Sequence, residues 1–207
     1  MNMTAESEKA HATAVVIDAS VLTNPATASA FGANTTEAAR VFTSMARQVA
    51  EAMVFYMPPS VLHELHTFVA AGDLPDDFEL VVRVRGPRRH DARVSGALLH
   101  ELIDDVRQRI DRGLRVAEEA VRDAANRSPD AGIRRLRDRY RTAMRTGLID
   151  SPADVDVLLL AIELDAAVAS ADHGLVSWAS KLGLRILHPD RLPGILTRLL
   201  GNQPAPC

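Results

Sequence analysis

Acidic side chains crowd one otherwise apolar stretch of this 207-residue chain, where residues 148–175 hold Asp150, Asp154, Asp156 and Asp172. A further acid, Asp18, closes the hydrophobic run AVVID near the start. Two bare carboxylates about 4 Å apart repel by roughly 4 kcal/mol at an effective dielectric near 20. Three or four such groups share a cleft only when protonated or bridged by cations. Oxygen donors with no paired histidines, in a chain whose one cysteine is Cys207, match hard ions such as Mg²⁺ or Mn²⁺. Such ions activate water and stabilise charge on a phosphoryl group. Phosphodiester hydrolysis is the chemistry this set would serve.

The acids need elements to bring them together. Ser151-Pro152 reads as a helix start, with Asp154 three residues past the cap as in a capping box. That position alone would account for Asp154 as a cap residue. Val155, Leu158, Leu159 and Ile162 follow at helical spacing and predict a core face. Asp156 lies about 200° round the helix from Asp154 and should point elsewhere. The run AAVAS then predicts a short buried strand leading to Asp172. Residues 14–18, 53–57 and 184–187 also read as strands, and 81–84 as an extended piece. Helices are expected from Thr36 to about Ala52, from Ser60 to near Gly72, over 174–182 and over 190–200. Thr23-Asn24-Pro25 reads as a turn. Alternating strands and helices imply a parallel sheet with right-handed crossovers, whose ligands sit outside the carboxyl ends of the strands. Asp18 and Asp172 would share that rim, with Asp150 and Asp154 leading into it.

Between these parts lies a different composition. Residues 83–145 hold 17 arginines and no lysine against 10 acids, although the whole chain carries a net charge of −3. Two amphipathic helices are predicted there, from about Ser95 to Ala125 and from Pro129 onward. Leu99, Leu102, Val106, Ile110, Ala117 and Val121 mark the first stripe, and Ile133, Leu136, Tyr140 and Met144 the second. A short loop between them implies an antiparallel hairpin. Arg134, Arg135, Arg137, Arg139 and Arg141 surround the second stripe and suit a polyanion, although the pattern also suits a solvated hairpin. The predicted organisation is a tail over 1–12, a core over 13–80 and 146–200, an insert over 81–145 and a tail over 201–207. No signal peptide or membrane span is apparent, and with no disulfide framework possible the expected residence is cytoplasmic. Asp18-Ala19-Ser20 lacks the second acid of a phospho-aspartyl phosphatase, and no glycine-rich nucleotide loop follows the first strand. His63 and His66 form no recognisable zinc motif.

A strand ending in Asp-x-Ser (Asp18, Ser20), Glu64 in the helix after Pro-Pro-Ser, and D-x₃-LLLA leading to S-x-D (Asp154 to Asp172) together resemble a PIN-domain nuclease. The opening VVIDASVLTNP, the long helical insert and the block from Ser151 onward resemble the HARP family, the minimal protein-only ribonuclease P enzymes, across nearly the whole chain. The resemblance implies an α/β fold, a PIN-like α/β/α sandwich with a parallel sheet plus an inserted helical hairpin. It implies removal of the 5′ leader of precursor tRNA with Mg²⁺ or Mn²⁺, and self-association into dimers and a larger homo-oligomer. Matched to the family, the catalytic and metal-binding aspartates fall on Asp18, Asp150, Asp154 and Asp172, with Ser20, Glu64 and Asp156 secondary. Ala19, Leu22 and His173 depart from the family's usual residues. A toxin-type PIN ribonuclease and a non-catalytic RNA-binding scaffold are the alternatives.

Overall fold

The computed structural model describes residues 12–69, 72–93, 95–124, 128–145, 149 and 151–201. Asp150 and most of both predicted tails lie outside the described residues. Four parallel strands form one sheet in the order β3-β2-β1-β4: β1 is Thr13–Ile17, β2 Met53–Met57, β3 Val82–Val84 and β4 Ala167–Ala169. β1 is central, with Val15 opposite both Phe55 and Ala167. Its Val15, Val16 and Ile17 are fully buried, as in a sheet covered on both faces. The β-branched residues AVVI and the run MVFYM thus become strands where expected.

The helices are α1 (Ser20–Thr23), α2 (Pro25–Ala28), α3 (Thr35–Gln48), α4 (Pro59–Phe68), α5 (Phe78–Val81), α6 (Gly96–Asp123), α7 (Pro129–Arg145), α8 (Pro152–Leu164), α9 (His173–Lys181) and α10 (Leu192–Gly201). Several expectations shift. The predicted turn at 23–25 is two short helices, and the Asn24 side chain caps the second by accepting from Ala26 N. α3 is capped by Asn34 rather than Thr36, because the Asn34 carboxamide accepts the Glu37 N–H at 2.9 Å. α3 and α4 each stop about four residues early. The predicted strand over 184–187 shrinks to a single parallel bridge between Val168 and Ile186. Gly183 turns at φ +70° just before it and a 3₁₀ turn begins at Pro189 just after, which leaves little extended chain.

α8 buries a different face from the one its spacing implied. Val155 and Ile162 are exposed, while Asp156, Val157, Leu158, Leu160 and Ala161 are buried. The helix is apolar on most sides, so periodicity alone does not orient it. Phe42 of α3 is fully buried and meets Phe31 and Phe55 edge-on, at 5.7 and 5.0 Å between ring centres.

β3 pairs with β2, so the helical excursion begins after Val84 and not at residue 81. α6 spans 28 residues, about 42 Å at 1.5 Å per residue. α6 and α7 pack together where Gly113 meets Tyr140 and Met144. Gly113 is buried, and a Cβ there would lie 2.8 Å from Tyr140 Cε2. The larger apolar residues expected in the seam, Leu99, Leu102, Val106, Ile110 and Val121, are exposed instead. The base of the hairpin is tied to the core. Lys181 Nζ donates to Glu101 at 2.7 Å, and Arg109 donates to the Ile149 carbonyl at 3.0 Å. Among the described residues no helix is long and apolar enough to cross a membrane.

Candidate active site

Asp18 follows the last residue of the central strand and is 6% exposed. Register fixes it there, because Ile17 is paired with Ala169 and the Asp18 N–H donates to the Ala169 carbonyl at 3.0 Å. One carboxylate oxygen, Oδ2, accepts from the hydroxyls of Ser20 and Ser170, the latter at 2.9 Å. Each hydroxyl is also an acceptor. Ser20 Oγ takes the Ala171 N–H at 2.8 Å, and Ser170 Oγ takes the Asp172 N–H at 2.9 Å. Two serines therefore knot the ends of β1 and β4 together and put Asp172 two hydrogen bonds from Asp18. Asp172 is exposed and caps α9, its Oδ1 accepting from Leu175 N at 2.8 Å.

Asp154 belongs to the capping box of α8. Its N–H donates to Ser151 Oγ at 3.1 Å and its Oδ2 accepts from Ser151 N at 3.3 Å. α8 leads into β4 and runs against the strand direction, so its start lies toward their carboxyl ends. Ser60, three residues beyond the last residue of β2, touches α8 at Asp156, which ties the first turns of α8 to that rim. Glu64 is exposed on α4.

The donor chemistry fits a hard divalent cation. Among the described residues Asp18 Oδ1 accepts no hydrogen bond, and it is not among the sealed polar atoms. Asp18 and Asp172 thus each have one oxygen fixed by the protein and one left over on the same rim, as an oxygen-only ligand set requires. Among the described residues no three acids yet converge on one point, and Asp150 is not one of those residues.

The sequence profile of the family described as PINc domain ribonuclease matches residues 14–201. The chain is 46% identical over 188 residues to the RNA-free ribonuclease P of Nitrosococcus oceani, covering 89% of this chain and 94% of that protein. It is 42% identical over 190 residues to the protein of that name from Thermococcus onnurineus, covering 91% and 96%. The corresponding protein of Halorhodospira halophila is 42% identical over 197 residues, covering 93% and 95%. This chain belongs to the RNA-free ribonuclease P family. As a PIN-domain member of that family it is an endoribonuclease with an RNA substrate, and PIN nucleases as a group depend on divalent metal.

In this chain Asp156 departs from the rest of the acidic set. It is buried, and its carboxylate is fully engaged. Arg89 donates through Nε to Oδ1 at 2.8 Å and through Nη2 to Oδ2 at 2.5 Å, while Ser60 Oγ donates to Oδ2 at 2.6 Å. The expectation that Asp156 points away from Asp154 is met, and its partner is an arginine rather than the other acids. Ser60, Arg89 and the bridging Ser170 were not singled out by sequence reasoning. Ser170 stood inside the quoted S-x-D motif, whereas nothing local connects Arg89 to a residue 67 positions away.

Burial pushes the Asp156 carboxyl up, but the hydrogen bonds from Arg89 and Ser60 and the Arg89 charge outweigh it and hold its pKa below the usual value. A carboxyl depressed on folding contributes stability above its unfolded pKa, about 4, and loses it as pH falls through the folded value. Thermal melts stepped from pH 6 to pH 3 should therefore fall less steeply for Asp156→Asn than for wild type. Parallel acid limbs would mean that the pair contributes nothing to the pH dependence.

Proposed function

We propose that this chain is a cytoplasmic ribonuclease P that removes the 5′ leader of precursor tRNA by hydrolysing one phosphodiester bond. The serine-bridged pair of Asp18 and Asp172 at the rim of the sheet is the observation that carries this reading. Asp18, Asp154 and Asp172 would hold Mg²⁺ or Mn²⁺, and Asp150 would hold a second ion or orient water. Bound there, the cation supplies water activation and charge neutralisation at the phosphoryl oxygens. The protein's own work is positional. Ser20 and Ser170 fix one oxygen of Asp18, so that its other oxygen has a set direction. Water oxygen attacks phosphorus, the bond to the leader's 3′ oxygen breaks, and that oxygen takes up a proton.

The test is 5′-end mapping of a precursor tRNA incubated with wild type and with Asp154→Asn. One cut at the mature 5′ end by wild type, lost in the variant, is the expected result. A cut elsewhere would favour a toxin-type PIN ribonuclease, and no cut with intact binding would favour a scaffold.

The hairpin is proposed to hold the tRNA body. Its arginines divide into two groups. Arg139 pairs with Glu119, and Arg135 with Asp123 at 3.6 Å, both across to α6. Among the described residues Arg134 and Arg137, both exposed, have no ion-pair partner and Arg141 reaches only Asp138, at 3.9 Å. Each phosphate contact contributes about 0.7–0.9 to the slope of log affinity against log salt. Arg134→Gln with Arg137→Gln should lower that slope by about 1.5 while leaving the melting temperature unchanged. An unchanged slope in titrations from low to moderate salt would remove these two from the interface. The exposed stripe Leu99, Leu102, Ile103, Val106, Ile110 and Leu114 supports self-association through α6, since apolar patches of this kind mark contact surfaces.

A further inference from the structure

Resting on the reading above, we infer that the groove between the start of α4 and residues 86–91 is a second RNA-backbone subsite, in which Arg89 binds a phosphate flanking the one that is cut. The groove has a volume of about 510 Å³ and is open to solvent, and Ser60, Arg88, Arg89, His90, Asp91 and Asp156 are among the residues that line it. It begins where β2 and β3 end, because Ser60 lies three residues after Met57 and Gly86 two after Val84. It therefore adjoins the same rim as Asp18.

Arg89 is built to present charge outward. Its side chain is 62% exposed, while that of its partner Asp156 is 3% exposed. A guanidinium has five N–H donors in a planar fork. Asp156 takes two of them along one edge, and the remaining three belong to a side chain that lines the groove. Planar bidentate recognition of phosphate is what such a fork does best. Asp156 is two residues from Asp154 on α8, about 3 Å further along the axis and on another side of the helix, so the guanidinium it holds belongs to the same end of α8.

The supporting segment is pinned along α8 at a second point, two turns further on. Glu163 accepts from the Arg88 N–H at 2.9 Å and pairs with the side chains of Arg85 and Arg88. An ion pair with one buried partner is weak evidence for stability, because desolvation of that partner offsets the Coulomb gain. Its value here lies in orientation. Asp156 is accordingly a positioning residue, and Arg89 is the group that touches RNA.

Removing Arg89 alone strands a buried carboxylate, so the informative variant changes both partners. Arg89→Gln with Asp156→Asn replaces the ion pair by an amide pair. Precursor-tRNA affinity is read in EDTA across a salt series, cleavage is read across a Mg²⁺ series, and melting temperature is followed in parallel. The expected result is an affinity loss of about tenfold and a salt slope lower by about 0.7, with melting temperature and Mg²⁺ requirement near wild type. Arg89→Lys, which keeps the charge and loses the fork, should fall between. Unchanged affinity and slope in both variants would overturn the inference. A raised Mg²⁺ requirement with unchanged affinity would also overturn it, since Asp156 would then be a cation ligand. In either case wild type still trims the 5′ end, whereas failure of wild type to do so would sink the broader reading instead.

Discussion

Asp18→Asn should reduce precursor-tRNA cleavage by at least a factor of about a thousand while leaving the fold in place. The carboxamide keeps an oxygen for the Ser20 and Ser170 hydroxyls, so the knot between β1 and β4 survives. What changes is the other position, where a neutral amide replaces the oxygen offered to a cation. Removing a single preorganised electrostatic group commonly costs a hundredfold to a thousandfold, and a metal ligand carries more, since charge neutralisation and water activation both depend on it. Single-turnover cleavage at saturating enzyme measures the chemical step, and a melt checks the fold. Activity within tenfold of wild type, with an unaltered Mg²⁺ dependence, would remove Asp18 from the metal site.

Phe42→Ala should lower stability by about 3–5 kcal/mol, the usual range for emptying a buried aromatic site. Phe42 is fully buried, and its edge-on partners Phe31 and Phe55 come from the segment after α2 and from β2. The chain has only five phenylalanines, so three of them meet at this one point. Alanine leaves a void that rigid strands on one side do not fill. At about 2–4 °C per kcal/mol for a domain of this size, the melting temperature should drop by roughly 10 °C. Cleavage below the new transition should persist, because no site residue is touched. A drop of only a degree or two would mean that the cluster repacks.

The sequence made the sheet and its acidic rim legible for a physical reason. Short β-branched runs such as AVVI favour a buried strand over a helix, and an acid at the end of such a run falls at the sheet edge. Ser151-Pro152 with Asp154 was equally readable, since a capping box is a local device. What stayed hidden was orientation. α8 is apolar nearly all round, so its buried face was misjudged. The α6 half of the hairpin stripe pointed outward, since the contact with Tyr140 and Met144 of the α7 stripe falls on Gly113 instead. Arg89 with Asp156 was invisible, since a pair spanning 67 residues leaves no local periodicity. The short strand β4 was found, while its single-bridge neighbour at Ile186 was overestimated because four apolar residues do not reveal the turns that bound them.

The strand that leads out toward α6 is β3, at the far edge of the sheet, whereas Asp18 follows a strand with neighbours on both sides. A connection hung on an edge can lengthen, shorten or be exchanged without re-registering the middle. The reach of the arm and the geometry of the cut are therefore separately adjustable, and descendants of this scaffold could be fitted to RNAs of other shapes by rewriting only the helical part of the excursion beyond residue 91.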